Sequence, residues 1–197
     1  MKARSKTILF GLLGLGLTTA LTAACLSDQD QGVVEVDPSC TSGVRWVGPQ
    51  GPGVQSPEEN FGAAHQGAPE MHPGGRCLDC HGAAGGPRFL IAGTVFPKLK
   101  EPNNCYGEPN VKVHITDAKG IRYTLRSNIA GNFFLRAADA PSFAFPFKAE
   151  IRYGDRISRM FPEQDNGNCN SCHTPEGKND APGRICADPD DPLCNLL

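Results

Sequence analysis

The sequence predicts an all-β fold: a single antiparallel β-sandwich over residues 88–162, flanked by loop-rich segments that each carry one Cys-x-x-Cys-His motif. Three observations predict it. The composition changes at residue 88, from Gly-, Pro- and acid-rich to β-branched and aromatic. The segments that follow alternate apolar and polar residues with period two, the signature of a half-buried strand. Turn residues interrupt these runs at short intervals, whereas neither flank has apolar periodicity.

The chain opens "MKARSKTILFGLLGLGLTTALTAAC". Lys2, Arg4 and Lys6 precede an apolar core and a run of small residues, so residues 1–24 read as a secretory signal. The apolar run is short and Gly-rich, and no later stretch approaches the roughly 20 apolar residues of a membrane helix. Export is therefore expected. "LTAAC" resembles the lipobox of bacterial lipoproteins, with Leu21 one place earlier than in that family and Thr22 in its position. The resemblance implies lipidation of Cys25; ordinary cleavage leaving Cys25 free or disulfide-bonded is the alternative. The leader carries three basic residues and no acidic one, so its removal takes the formal net charge from −2 to −5. The charges are scattered along the sequence, which predicts neither a nucleic-acid surface nor a polybasic membrane patch.

Residues 25–62, rich in Gly, Pro, Gln and acids, read as a flexible spacer. Residues 63–87 hold the first motif, "CLDCH" at 77–81, hemmed in by glycines and prolines that limit any helix to a turn or two. The sandwich follows. "RFLIAGTVFP" stops at Pro97; "NVKVHITDAKG" alternates Val111, Val113 and Ile115 with Lys112, His114 and Thr116; "IRYTLRSN", "GNFFLRA" and "FPFKAEIRYGDRISRMF" complete it. Such a length supports a modest two-sheet core. Residues 163–197 hold the second motif, "CNSCH" at 169–173, and a tail without periodicity, whose order must come from something other than its own apolar packing.

"AGTVF…VKVHITDAKGIRYTLRSNIAGNFFL" resembles the carboxypeptidase regulatory-like, or transthyretin-like, domain. The matching features are Gly93 to Val95, the alternating strand ending Thr-Asp-x-x-Gly at Gly120, and Ser127 to Leu135. The resemblance covers about residues 88–160 and implies a sandwich that is usually a scaffold or binding module. The residues agree: Phe133 and Leu135 share one face, and Gly131 permits the turn before them.

Cys-x-x-Cys-His is the attachment sequence of c-type haem. Two thiols three residues apart on one helical turn can each reach a haem vinyl group, and the adjacent histidine can bind iron from one axial side. Cys77 and Cys80 would hold one haem with His81 as ligand, and Cys169 and Cys172 a second with His173. Three alternatives compete. A thioredoxin-type dithiol expects a βαβ context that these loops lack. A zinc site built from two knuckles expects closer spacing than the 92 positions between the motifs. Structural disulfides need no histidine at the fifth position in both copies. Haem also supplies what the flanks lack, a large apolar face and covalent cross-links. The common cytochrome c fold is not expected, because the residues between the motifs read as strands. The arrangement is similar to small exported multihaem proteins in which a haem motif lies on each side of an immunoglobulin-like or regulatory-like sandwich.

His72 is the candidate second ligand for the first haem, with His65 and Met71 as alternatives; Met160 is the candidate for the second, and it also reads as β-core filler. His114 reads as solvent-facing. Nine cysteines divide into Cys25, the four of the motifs, and Cys40, Cys105, Cys186 and Cys194. The last four suffice for two disulfides in an oxidising space, with three pairings open. No other catalytic motif is present. The expectation is a dihaem c-type electron-transfer protein, lipid-anchored in the periplasm or at the outer membrane or cell surface. It would serve redox partner proteins of the envelope and have no role with nucleic acid. Two rivals are a haem enzyme with an open axial site and a haem-free binding module with disulfide-linked loops.

Overall fold

The computed structural model describes residues 35–46, 71–82, 87–188, 191 and 194; the leader, Cys25 and His65 lie outside them. Among the described residues the regular elements are mostly strands, as expected of an all-β fold. In order it forms β1 (Glu35–Val36), β2 (Val44–Arg45), the short helix α1 (Cys77–His81), β3 (Phe89–Phe96), β4 (Lys112–Thr116), β5 (Arg122–Arg126), β6 (Asn132–Arg136), β7 (Lys148–Tyr153), β8 (Arg156–Arg159) and β9 (Ile185–Cys186). A 3-10 turn spans Cys169–Ser171. Among the described residues no helix is long and apolar enough to cross a membrane.

The strands form a β1-β2 ribbon, a three-stranded sheet ordered β6-β3-β9 and a four-stranded sheet ordered β5-β4-β7-β8. All pairs are antiparallel except β3–β9, which is parallel. The exception has a local cause. After the second motif the chain returns alongside β3 in the same direction, placing Ile185 opposite Val95 and Cys186 opposite Phe96. Two residues are too few to show a period, which is why β9 was not expected within the C-terminal tail.

Alternation sets the core. Ile91 and Val95 of β3 and Phe133 and Leu135 of β6 are buried together with Val113 and Ile115 of β4 and Ile151 of β7, so both larger sheets contribute to one apolar cluster. Gly131 enters β6 at φ +78°, and a Cβ there would lie 2.4 Å from the Val95 carbonyl oxygen. Only glycine meets both conditions.

Two disulfides resolve the open pairing: Cys40–Cys105 and Cys186–Cys194. The first ties the β1-β2 hairpin, within the segment read as spacer, to the loop after β3. The cross-link closes 65 residues, which in chain-entropy terms is worth about 4 kcal/mol. Glu101, 1 % exposed, fastens the same hairpin by accepting hydrogen bonds from the backbone N–H and hydroxyl of Thr41. Replacing the fully buried Ile91 by alanine is expected to lower unfolding free energy by about 2–5 kcal/mol, measured by urea denaturation.

Candidate functional site: two motifs across one strand

The two motifs, far apart in sequence, meet at β3. Successive residues of a strand face opposite sides, and the second motif uses both sides of this one. On the core side is Gly93, where a Cβ would come within 2.8 Å of the Cys169 Cβ and 2.9 Å of the Phe133 ring. The glycine makes room for Cys169. On the other side is Thr94, whose backbone N–H donates to Asn170 Oδ1 at 3.1 Å and whose hydroxyl oxygen accepts from Asn170 Nδ2 at 3.1 Å. The same Nδ2 donates to the Gly75 carbonyl at 2.8 Å and lies 3.9 Å from the Cys77 sulfur. The second motif thus straddles β3, with Cys169 on the core side and Asn170 reaching the first motif on the outer side.

Further polar contacts close this junction. Thr94 Oγ1 donates to Asn132 Oδ1 at 2.7 Å and accepts from the Gly74 N–H at 2.9 Å. Asn132 Nδ2 donates to the Met71 carbonyl, and Asn168 Nδ2 donates to Asp79 within α1 at 3.2 Å. Arg184, 1 % exposed, gathers the rest. It donates to the carbonyls of Glu101 (3.0 Å) and His173 (3.2 Å) and to Asn103 Oδ1, and its guanidinium lies 4.6 Å from the Phe96 ring centroid. Burial lowers its pKa to about 10, still charged at neutral pH.

Each motif histidine is held in the same way. His173 Nδ1 lies 2.9 Å from the Gly183 carbonyl and His81 Nδ1 lies 3.1 Å from the Pro87 carbonyl. A carbonyl oxygen only accepts, so in each neutral ring Nδ1 carries the proton and Nε2 presents its lone pair, the arrangement of a histidine prepared to bind a metal. His173 is 7 % exposed. Burial lowers its pKa, the Gly183 carbonyl raises it in part and Arg184 lowers it further, which favours the neutral ring. His81 is half-buried and stacks on Phe89 at 4.3 Å between centroids; Phe89 in turn stacks on Phe134 at 4.5 Å.

The second motif borders a small apolar cleft between the two larger sheets, with a volume of about 70 Å³. Val113, Ile115, Phe133 and Ile151 line the interior, and Cys169, Cys172, His173 and Met160 lie along the wall. The structure therefore brings Met160 to the same cleft as the second motif. Asn168 also borders it, with a buried Oδ1 that accepts no hydrogen bond among the described residues. His72 is exposed and stacks on Trp46 of the hairpin at 5.0 Å; Met71 is 44 % exposed. His114 sits on the opposite side of β4 from Val113 and Ile115 and bonds Thr124 Oγ1 at 2.9 Å, away from both motifs.

Thiol state separates the alternatives. Cys77, Cys169 and Cys172 are free thiols. Burial raises Cys77 to about 11 and, with the nearby Cys77 adding, Cys169 to about 12. A dithiol oxidoreductase needs a low thiol pKa, so Cys77 and Cys169 are poor nucleophiles. The motif sulfurs also do not converge as metal donors. Among the described residues only Cys40, Glu101 and Cys105 lie within 4.8 Å of one another. There the two sulfurs are bonded to each other and Thr41 occupies the carboxylate. Cys80 departs from the expected division of cysteines, because it is disulfide-bonded.

The thiols and histidines of the two motifs are the donor types that a covalently held haem takes, with Cys80 available to one only after its disulfide is reduced. Comparison with known proteins returns no matching family model, no matching curated protein and no matching solved structure.

Sequence reasoning missed Thr94, Asn132, Asn170 and Arg184, the residues that join the motifs. Replacing Asn170, 2 % exposed, with leucine strands the Thr94 N–H and the Gly75 carbonyl; the expected loss is about 2–4 kcal/mol, measured by urea unfolding. In the haem-free chain, folding lowers the His173 pKa, chiefly through burial, so the unfolded chain takes up the proton first as pH falls. Its contribution is present above the ordinary histidine value of 6.5 and is lost as pH falls below it. Melting temperature should therefore drop on acidification through that value, and less steeply in a His173→Asn variant.

Proposed function

We propose that this chain is a dihaem c-type electron-transfer protein of the bacterial cell envelope, exported and anchored through lipidated Cys25. The observation that carries the reading is the shared state of the two motif histidines. Each has Nδ1 committed to a backbone carbonyl and Nε2 open, one beside an apolar cleft and the other against stacked aromatic rings. Cys77 and, once reduced, Cys80 would hold one haem together with His81, and Cys169 and Cys172 would hold the other together with His173. When bound, haem iron supplies one-electron chemistry by cycling between ferrous and ferric states.

The protein's residues do the rest. The Gly183 and Pro87 carbonyls fix the imidazole tautomers, which keeps the ligand ring oriented and basic. Val113, Ile115, Phe133 and Ile151 exclude water from one side of the second site, which favours the less charged redox state. Met160, which lines the same cleft, would be the second ligand there. His72, stacked on Trp46, would be the second ligand at the first site, and its ring would have to leave that stack. The two larger sheets form a carboxypeptidase regulatory-like sandwich that acts as scaffold, and the partners are redox proteins of the envelope.

The Cys80 disulfide favours a second reading, a haem-free β module whose loops are cross-linked. Intact mass after co-expression with a cytochrome c maturation system decides between them. The mature protein should gain two haems, and Cys77→Ala/Cys80→Ala or Cys169→Ala/Cys172→Ala should each reduce the gain to one. A colourless, unmodified chain would instead establish the cross-linked module.

A further inference from the structure

The alternation that builds the core also sorts charge. On β4, Lys112, His114 and Thr116 stand opposite Arg126, Thr124 and Arg122 of β5 and opposite Arg152, Glu150 and Lys148 of β7. On β8, Arg159 stands opposite Glu150. Residues directly opposite share a face, and Val113, Ile115 and Ile151 occupy the inner one. The outer face therefore carries six basic residues: Lys112, Arg122, Arg126, Lys148, Arg152 and Arg159. Two carboxylates answer them. Glu150 pairs with Arg122, Arg152 and Arg159, and Glu163 pairs with Lys148.

Among the described residues neither Lys112 nor Arg126 has a carboxylate partner. They lie directly opposite each other, with Arg152 on the other side of Lys112, so three cations form one cross-strand row. Like charges directly opposite destabilise a sheet. The row thus works against folding, in a chain whose formal net charge is −2. The field reaches His114 at the centre of the face. Its pKa is lowered first by burial and then by Arg122, Arg152 and Lys112, against an opposing effect of Glu150.

We propose that the outer face of the β5-β4-β7-β8 sheet is a docking surface for a carboxylate-rich face of a partner protein. Charge complementarity selects the occupant. The outward positions of its four strands carry no Phe, Tyr or Trp to stack a base or sugar ring; the exposed ring of Phe161 lies beyond the end of β8. Ile157 at its edge and Phe161 just beyond β8 are the large apolar residues beside it, too few among six cations to anchor the face in a lipid surface by apolar insertion. Strands of this length and spacing give a patch of roughly 16 by 14 Å. That is far below the area of a stable interface and suits a short-lived, electrostatically steered encounter. The inner side of the same sheet walls the cleft, so a docked partner sits behind the second motif. Use of the face in electron exchange rests on the dihaem reading; binding does not.

The test is calorimetric titration of the full exported protein, with and without haem, using poly-L-glutamate as the carboxylate probe and phosphatidylglycerol vesicles as the lipid probe. Poly-L-glutamate should bind, weakening steeply with salt. Lys112→Gln/Arg126→Gln should weaken it by about tenfold with no loss of melting temperature, because neutralising the row relieves repulsion. Lys178→Gln/Arg88→Gln, which removes the same charge elsewhere, should leave binding unchanged. Salt-independent or absent binding, equal affinity in the two double variants, or stronger binding to the vesicles would overturn the proposal. Failure of haem to attach would leave a positive result standing.

Discussion

The hydrogen bonds between Asn170 and Thr94 hold together parts of the chain that sequence keeps far apart. Without them, the first motif would be a five-residue helix with no buried residue of its own, and the second a single 3-10 turn. Neither can persist alone, since short helices are not stable in water. Strand β3 gives both a rigid support. Its core side accepts Cys169 because residue 93 lacks a side chain, and its other side binds Asn170 because residue 94 is a threonine. Two adjacent residues of one strand thus determine how the two motifs lie relative to each other.

The strands were legible because alternation is a property of the sequence itself. Val113, Ile115, Phe133 and Leu135 are buried as their spacing implies, and the pairs of glycines and apolar runs bound the elements well. The two motifs were legible from the spacing of their cysteines and histidines, but the disulfide at Cys80 was not. Nor was what joins the motifs. Asn170 occupies a variable position of its motif, and asparagine there looks like any polar loop residue; its role exists only because the fold brings Thr94 and Gly75 to it. Arg184 is similarly a lone cation in a Pro- and Gly-rich stretch, and its burial follows from carbonyls contributed by the loop after β3. Charges that look scattered in one dimension gather on a face once four strands are in register. Strand β9, two residues long, had no pattern to reveal.

The arrangement separates two kinds of polar investment. The buried network around Thr94, Asn132 and Asn170 is satisfied by neutral donors and acceptors, where desolvation is modest and geometry is specific. Ionic groups are placed mostly at the surface, as in the Glu150 cluster, where solvent screens them. Glu101, Asp117 and Arg184 are buried exceptions, and Arg184 is a cation satisfied by carbonyls and an aromatic face. Such a group fixes loop positions at a cost in desolvation, which suits a region that must align two distant segments.

The parallel pairing of β9 with β3 makes one edge of the scaffold wait on a distant part of the chain. Val95 and Phe96 gain their neighbours Ile185 and Cys186 only after about ninety intervening residues have been laid down and folded back. The Gly183 carbonyl that holds His173, and the Arg184 side chain that clasps the His173 carbonyl, come with that same returning segment. The second motif is therefore seated from both sides only when the last-paired strand closes against β3, so its order is a late product of folding and not a local property of its own five residues.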